Sequence, residues 1–194
     1  MAELVTLVCW GAVVVIWVVG AALGARKSRA RRQAGFGSGA LWRIGSVIAA
    51  VLVYRLGRSE LHRVTDHALW IQLVGLVVLI ASTAFTIWAR FALGRFWSAS
   101  PNALRAGHEL KTDGPYSITR HPIYTGLFGM VLGSVLLNGL GSSLAFLLIA
   151  AIVVATRIPI EEHLMDKTFP DEYARYRQRV PQFVPGLKLL RRLH

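Results

Sequence analysis

Cysteine is nearly missing from this chain: Cys9 stands alone, so no internal disulfide can form and a cysteine-based metal cluster is excluded. Charge is scarce as well. Only 16% of residues are charged while 54% are apolar, a balance outside the range of ordinary soluble domains that makes the membrane class the default. Acidic residues are the scarcer sign, 10 against 22 Lys and Arg, and such an excess raises nucleic acid as a partner. The positions of the charges decide against it. Basic residues gather beside particular ends of the apolar runs, as membrane orientation and anionic lipid headgroups require, rather than along a groove for DNA. No internal repeat or low-complexity segment is present. The first apolar run has no basic residues before it and a basic cluster after it, the reverse of a cleavable signal peptide. It is expected to stay as a permanent span.

Crossing a hydrocarbon core of about 30 Å takes roughly 20 apolar residues as a helix, and five runs approach that length. They cover residues 4–24, 41–56, 68–89, 123–137 and 143–156. The second is the weakest, because Arg43 and Arg55 shorten it and would have to snorkel to the interfaces. Five alternating crossings put the Arg26, Lys27, Arg29, Arg31 and Arg32 cluster on one side. Arg90, Arg95, Arg105, Lys111 and Arg120 fall on the same side, with every basic residue from Arg157 onward. The other side holds Arg58 and Arg63, with Arg55 near the boundary. By the positive-inside rule the amino terminus is outside and the carboxyl terminus cytoplasmic. The expectation is an all-α, multi-pass integral membrane bundle of five transmembrane helices forming one domain over residues 1–194, with a long cytoplasmic loop and tail. A short helix is expected over residues 171–180, with Asp171 and Glu172 in its first turn, Arg177 and Arg179 in its last, and Pro181 stopping it. Its tyrosines and arginines suit a membrane surface.

Two segments carry candidate chemistry, residues 101–124 and 157–176. The stretch from Ala106 to Tyr124 is dense in polar and turn-forming residues. Gly107, Gly114 and Pro115 permit a tightly folded backbone, while His108, Tyr116, Arg120, His121 and Tyr124 offer donors and aromatic faces. Irregular backbone at membrane depth is tolerated only against protein or a cavity. The bland alternative makes Arg120, His121 and Tyr124 interfacial anchors. The fifth run ends in Arg157, Pro159, Glu161 and Glu162, a cation and two carboxylates at the inner boundary, where ionisable groups are costly unless paired or functional. Pro159, without an amide hydrogen, is expected to kink the helix or start a new one. A salt bridge between Arg157 and Glu161 is the plain structural alternative, although the acid should precede the base.

Gly35, Gly37 and Gly39 imitate part of a nucleotide-binding glycine motif, but they follow a basic loop and precede a membrane span, without the strand that motif requires. His108, His121, Glu161 and Glu162 share no recognised ligand spacing, so no metal is expected. His62, His67, His163 and His194 read as surface or interfacial histidines.

In order and spacing, Gly107-His108, Leu110, Gly114, Tyr116, Arg120-His121-Pro122, Tyr124, Arg157, Glu161-Glu162, Asp171-Glu172-Tyr173 and Tyr176 resemble the isoprenylcysteine carboxyl methyltransferases and their prokaryotic relatives. That family lies within a wider group that includes phospholipid methyltransferases. The resemblance covers the carboxyl-terminal half; the first two runs carry no signature. It implies S-adenosylmethionine as cofactor, bound by His108, Glu109, Leu110, Lys111, Tyr116, His121, Pro122, Ile123, Tyr124 and Glu161. It implies that Arg157 holds the acceptor carboxylate and makes Arg157, Glu161 and Glu162 the catalytic candidates, with the role of Glu162 open between positioning Arg157 and positioning a second donor. Pro101, Pro159 and Ile160 depart from polar or acidic residues of some relatives, which weakens the transfer of a prenylcysteine substrate.

The function so implied is carboxyl O-methylation of an isoprenylcysteine-like or other lipidic carboxylate in a prokaryotic cell membrane, the acceptor entering from the bilayer and the cofactor from the cytoplasm. A carboxylate is already ionised near neutral pH and needs no general base. N-methylation of a phospholipid amine is the alternative and would need one. A nicotinamide-dependent sterol-type reductase and a non-enzymatic membrane scaffold are further readings. Oligomeric state is not legible.

Overall fold

Backbone polar groups find no partner in hydrocarbon, so apolar runs of this kind fold as helices that satisfy their own hydrogen bonds. The computed structural model describes residues 1–27, 68–94, 109–139 and 143–183, and among these no strand occurs. Helix α1 runs Ala2–Lys27, α2 Leu69–Leu93, α3 Pro122–Asn138, α4 Ser143–Thr168 and α5 Pro170–Arg179, with a 3-10 turn at Gly114–Ser117 ahead of α3. The Ala2–Gly20 part of α1 and the whole of α2 are long and apolar enough to cross a membrane, and α3 is a shorter apolar helix. Leu4, Leu7, Val14 and Val18 on α1 and Leu73, Val77 and Ile80 on α2 are exposed. Lipid is the solvent such faces match. The run at 41–56, the glycines at 35, 37 and 39, Pro101 and His108 lie outside the described residues.

Of the two outcomes expected at Pro159, a new helix does not start there, since α4 continues through it to Thr168. A proline inside a helix removes a hydrogen bond at roughly 3 kcal/mol, and side chains on either side hold this one in place. Ile158 is buried, Pro159 is turned outward, and Glu161 and Glu162 are anchored by the contacts described below.

By its contacts the chain divides into two compact units, one of residues 1–80 and 131–149, the other of residues 81–130 and 150–194. In the first, polar side chains tie α1 to α3. Trp10 Nε1 donates to Ser134 Oγ at 3.2 Å, and Asn138 Nδ2 donates to Thr6 Oγ1 at 2.8 Å and to the Ser134 carbonyl at 3.2 Å. Close approach of α2 and α3 depends on glycine: a Cβ on Gly75 would lie 2.6 Å from the Leu137 nitrogen, and one on Gly133 2.5 Å from the Leu79 nitrogen. Small residues let membrane helices bring their backbones together, where packing rather than the hydrophobic effect supplies the attraction.

The second unit uses the same device where Gly126 meets Thr86 and Gly129 meets Ser82. Its other feature is a tail folded back onto the loop before α3. Helix α5 opens with Pro170, carries Asp171 and Glu172 in its first turn and Arg177 and Arg179 in its last, all favourable to its dipole. Tyr173, Tyr176 and Val180, at one-face spacing, are buried against Leu110, Met165 and Phe169. The tyrosines of this helix therefore face a protein core, not the membrane surface suggested by composition.

Gly133→Ala is expected to lower the thermal unfolding midpoint in detergent, through an overpacking penalty of roughly 1–3 kcal/mol. Gly11→Ala, where no atom lies within 4 Å of the added methyl, should leave the midpoint unchanged or slightly raised. Equal midpoints for the two variants would refute close backbone packing at Gly133.

Candidate active site

The site grows from a backbone reversal. Gly114, at φ 57°, takes the left-handed conformation that lets the chain turn into the Gly114–Ser117 segment. Ser117 Oγ donates back to the Gly114 carbonyl at 2.7 Å. The turn buries Pro115 and Tyr116. Tyr176 Oη, from α5, donates to the Tyr116 carbonyl at 2.6 Å. Thr119 Oγ1 reaches the carbonyls of Gln182 and Phe183 at 3.0 and 3.1 Å, the Arg120 amide donates to the Pro181 carbonyl at 2.9 Å, and Thr125 Oγ1 donates to the Phe183 carbonyl at 2.7 Å. Phe183 also meets Phe128 edge-on at 5.7 Å. These bonds set the position of the residues that enter α3.

Two carboxylates on successive residues of α4 receive this segment. Glu162 Oε1 lies 2.9 Å from Arg120 Nη2 and 3.2 Å from His121 Nε2, and its carboxylate accepts from Tyr173 as well. Glu161 Oε2 lies 3.7 Å from the other imidazole nitrogen, Nδ1. Glu161 Oε1 accepts from Tyr124 Oη at 2.5 Å, a short charge-assisted bond. One imidazole thus links the two acids. Exposure rises along the network, from 7% and 8% for the Arg120 and His121 side chains through 14% for Glu162 to 31% for Glu161. Glu161 is its open end.

Burial alone would depress the His121 imidazole, but hydrogen bonds and charge from Glu161 and Glu162 outweigh it, and the ring titrates above its ordinary 6.5. Burial would raise the Glu162 carboxyl, yet the His121 hydrogen bond and the Arg120 charge hold it below its ordinary 4.5. The Tyr116 phenol is pushed up by burial first, then by Tyr176 and Glu161, against the pull of Arg90.

Among the residues expected from sequence, Tyr116, His121, Tyr124, Glu161 and Glu162 come together. Arg157, one turn before Glu161 on α4, is half-buried and acts electrostatically on Tyr124. Pro122 is fully buried at the start of α3, and Ile123 is half-buried. Leu110 packs into the α5 cluster, Lys111 pairs with Asp113 at 3.4 Å, and Glu109 is exposed. Glu162 meets Arg120, His121 and Tyr173. Sequence reasoning missed Tyr173 and Tyr176 as supports. Their spacing with Val180, three and then four residues, was the available signal.

The folded chain holds the His121 proton to higher pH than the unfolded one, so that contribution is complete below about pH 6.5 and is lost as pH rises through the raised value. For Glu162 it is complete above about pH 4.5 and lost as pH falls through the depressed value. Thermal midpoints in detergent should therefore form a plateau across this window and decline on both sides. His121→Asn should remove the alkaline decline, and a decline unchanged in that variant would refute the assignment.

Comparison with known proteins adds the family. A family model described as phospholipid methyltransferase matches residues 70–172. A protein-S-isoprenylcysteine O-methyltransferase B from Arabidopsis thaliana is 36% identical over 118 residues, 60% of this chain and 60% of that one. The nickel-cobalt-cadmium resistance protein NccN of Alcaligenes xylosoxydans xylosoxydans is 33% identical over 157 residues, 78% of this chain and 66% of that one. The chain thus spans about three fifths to two thirds of the length of these relatives. Among solved structures, the eukaryotic intramembrane Ras methyltransferase ICMT aligns over 94% of this chain and 68% of its own, with a TM-score of 0.58 and 21% identity, a likeness of fold. The family match covers more than half of the sequence, residues Trp70 through Glu172, which include Tyr116, Arg120, His121, Tyr124, Arg157, Glu161 and Glu162, and the chain belongs to the phospholipid methyltransferase family.

Proposed function

We propose that this chain is a multi-pass membrane methyltransferase that uses S-adenosylmethionine to O-methylate a lipophilic carboxylate, with the site on the cytoplasmic side and the amino terminus outside. The observation that carries the reading is the graded network ending at Glu161. Glu162 is matched by the buried Arg120 guanidinium, while the Glu161 carboxylate, the most exposed member, is displayed at the open end beside Tyr124. A cationic ligand suits that end. Aromatic faces next to it are favourable to a sulfonium or ammonium group. When bound, S-adenosylmethionine supplies an electrophilic methyl whose C–S bond breaks, with the electron pair going to sulfur, as the bond to the acceptor oxygen forms. A carboxylate acceptor gives up no proton, so no base is needed.

On this reading Glu161 binds the cofactor's cationic or hydroxyl groups, and Tyr116, His121 and Tyr124 wall its site, joined by Glu109, Leu110, Lys111, Pro122 and Ile123 along the adjoining segment and by His108 upstream. Arg157 holds the acceptor carboxylate through a guanidinium fork that an ammonium cannot reproduce. The acceptor enters from the bilayer. Relatives named isoprenylcysteine O-methyltransferases support a prenylcysteine-like acceptor, a lipid carboxylate being the general class. The five-span topology with basic segments inside belongs to the same proposal.

N-methylation of a phospholipid amine is favoured by one observation, the description of the matched family. Native membranes incubated with methyl-labelled cofactor and then treated with mild alkali separate the two: an ester releases labelled methanol and a methylated amine does not. Methanol release is the expected outcome. Arg157→Lys should lower turnover at least roughly tenfold to a hundredfold, the scale of a charged hydrogen-bond pair, and Glu161→Ala should do so through cofactor binding. Wild-type turnover in both inserted variants would overturn the assignments.

A further inference from the structure

We infer that Arg120 is a positioning residue, which sets the cofactor end of the site by fixing Glu162 and through it His121 and Glu161, without itself reaching a ligand. This inference rests on the methyltransferase reading for its ligand, while its structural half stands on contacts alone.

The contacts of Arg120 run to Glu162 on α4 and to α5 and the residues after it, and its Nε is buried without a hydrogen-bond partner among the described residues. Its Nη2 takes Glu162 Oε1 at 2.9 Å, its Nη1 reaches the Arg177 carbonyl at 3.5 Å, its guanidinium lies 6.0 Å from the centre of the Tyr173 ring, and its amide bonds the Pro181 carbonyl at 2.9 Å. The side chain is 7% exposed. One residue therefore joins the loop before α3, the carboxylate pair of α4, and both α5 and the residues after it. Glu162 uses the same oxygen for Arg120 and His121, so moving the guanidinium moves the partner of the imidazole. The imidazole's other nitrogen faces Glu161, whose carboxylate also holds Tyr124. Displacement at Arg120 is transmitted to Glu161 in three polar contacts. The planar fork of arginine holds a carboxylate and a carbonyl together, and an ammonium keeps the charge opposite the carboxylate, which is the part the network depends on.

Charge transmits along the same path. His121 faces Glu161 and Glu162 from α4 and Tyr124 from α3, while Arg120 and Tyr173 share Glu162 with it and Arg157 acts on Tyr124. Removing the Arg120 guanidinium leaves the imidazole as a cationic partner of Glu162, and its protonated form gains.

The test uses the whole protein purified in detergent and four variants: Arg120→Ala, Arg120→Lys, Glu162→Gln and Gly133→Ala. Gly133 packs against the Leu79 backbone in the first unit and serves as a control for stability alone. Binding of S-adenosylhomocysteine is measured by calorimetry, with thermal midpoints alongside. Expected are a Kd at least tenfold weaker for Arg120→Ala and for Glu162→Gln, recovery to within about threefold for Arg120→Lys, and an unchanged Kd for Gly133→Ala despite a lowered midpoint. A second readout needs no cofactor: histidine-labelled NMR should show the His121 midpoint raised in Arg120→Ala and restored in Arg120→Lys. A lowered thermal midpoint in Arg120→Ala with Kd and His121 titration both unchanged would overturn the positioning role. Absence of wild-type binding with the His121 shift present would overturn the methyltransferase reading and keep Arg120 as the residue that sets this network. Absence of both would overturn both.

Discussion

A single carboxylate oxygen, Glu162 Oε1, holds the second unit in its arrangement. Removing an ion from water costs several kcal/mol, and this is offset only when geometry is good and remaining lone pairs are occupied. Here a guanidinium, an imidazole and a phenol share one carboxylate, and they come from the loop before α3 and from α5. Neither segment can leave without stranding a buried charge. Packing alone would tolerate many small displacements; a shared oxygen at 2.9 and 3.2 Å tolerates few.

The tail reinforces that constraint with neutral bonds. Carbonyls of Pro181, Gln182 and Phe183 accept from the Arg120 amide and from the hydroxyls of Thr119 and Thr125, so irregular backbone on one strand of chain satisfies irregular backbone on another. Buried polar groups that each find a partner add specificity where an apolar contact would add only area. Tyr176 completes the set by donating to the Tyr116 carbonyl, placing the support directly behind the turn that carries the candidate aromatic wall. A loop of this length could not hold such a turn by itself.

Much of this was legible in the chain because it depends on composition and short-range order. Apolar runs gave helices at 4–24, 68–89 and 123–137, within a few residues of α1, α2 and α3, since length and hydropathy dominate there. Adjacent Glu161 and Glu162 after an apolar run, and Arg120 beside His121, marked ionisable groups that needed partners. Which acid met which base was not legible, because the pairings span about 40 residues and depend on the angle at which α4 leaves its apolar run. That angle follows from continuation through Pro159, where anchoring by the two glutamates overrides a local breaker. The inward tyrosines of α5 were obscured for another reason: arginines on the opposite face gave the whole segment an interfacial composition, and only the spacing of Tyr173, Tyr176 and Val180 separated the two faces.

Graded exposure along the network has a consequence for chemistry on two ions. A sulfonium and a carboxylate attract, and water around either would screen that attraction while leaving their relative orientation free. Useful alignment therefore requires that each ion meet a fixed counter-charge before it meets the other. On the reading proposed above, Glu161 provides the fixed anion and Arg157, one turn earlier on the same helix, the fixed cation. Because both project from α4, their separation is set by helical geometry rather than by loop motion, and what remains adjustable is the rotamer of Glu161. Tyr124 and His121 restrain that rotamer from two directions, and His121 is itself held through Glu162. Rigidity at the reacting end is thereby drawn from the most deeply buried part of the network, where Arg120 is least accessible to the water that would loosen it.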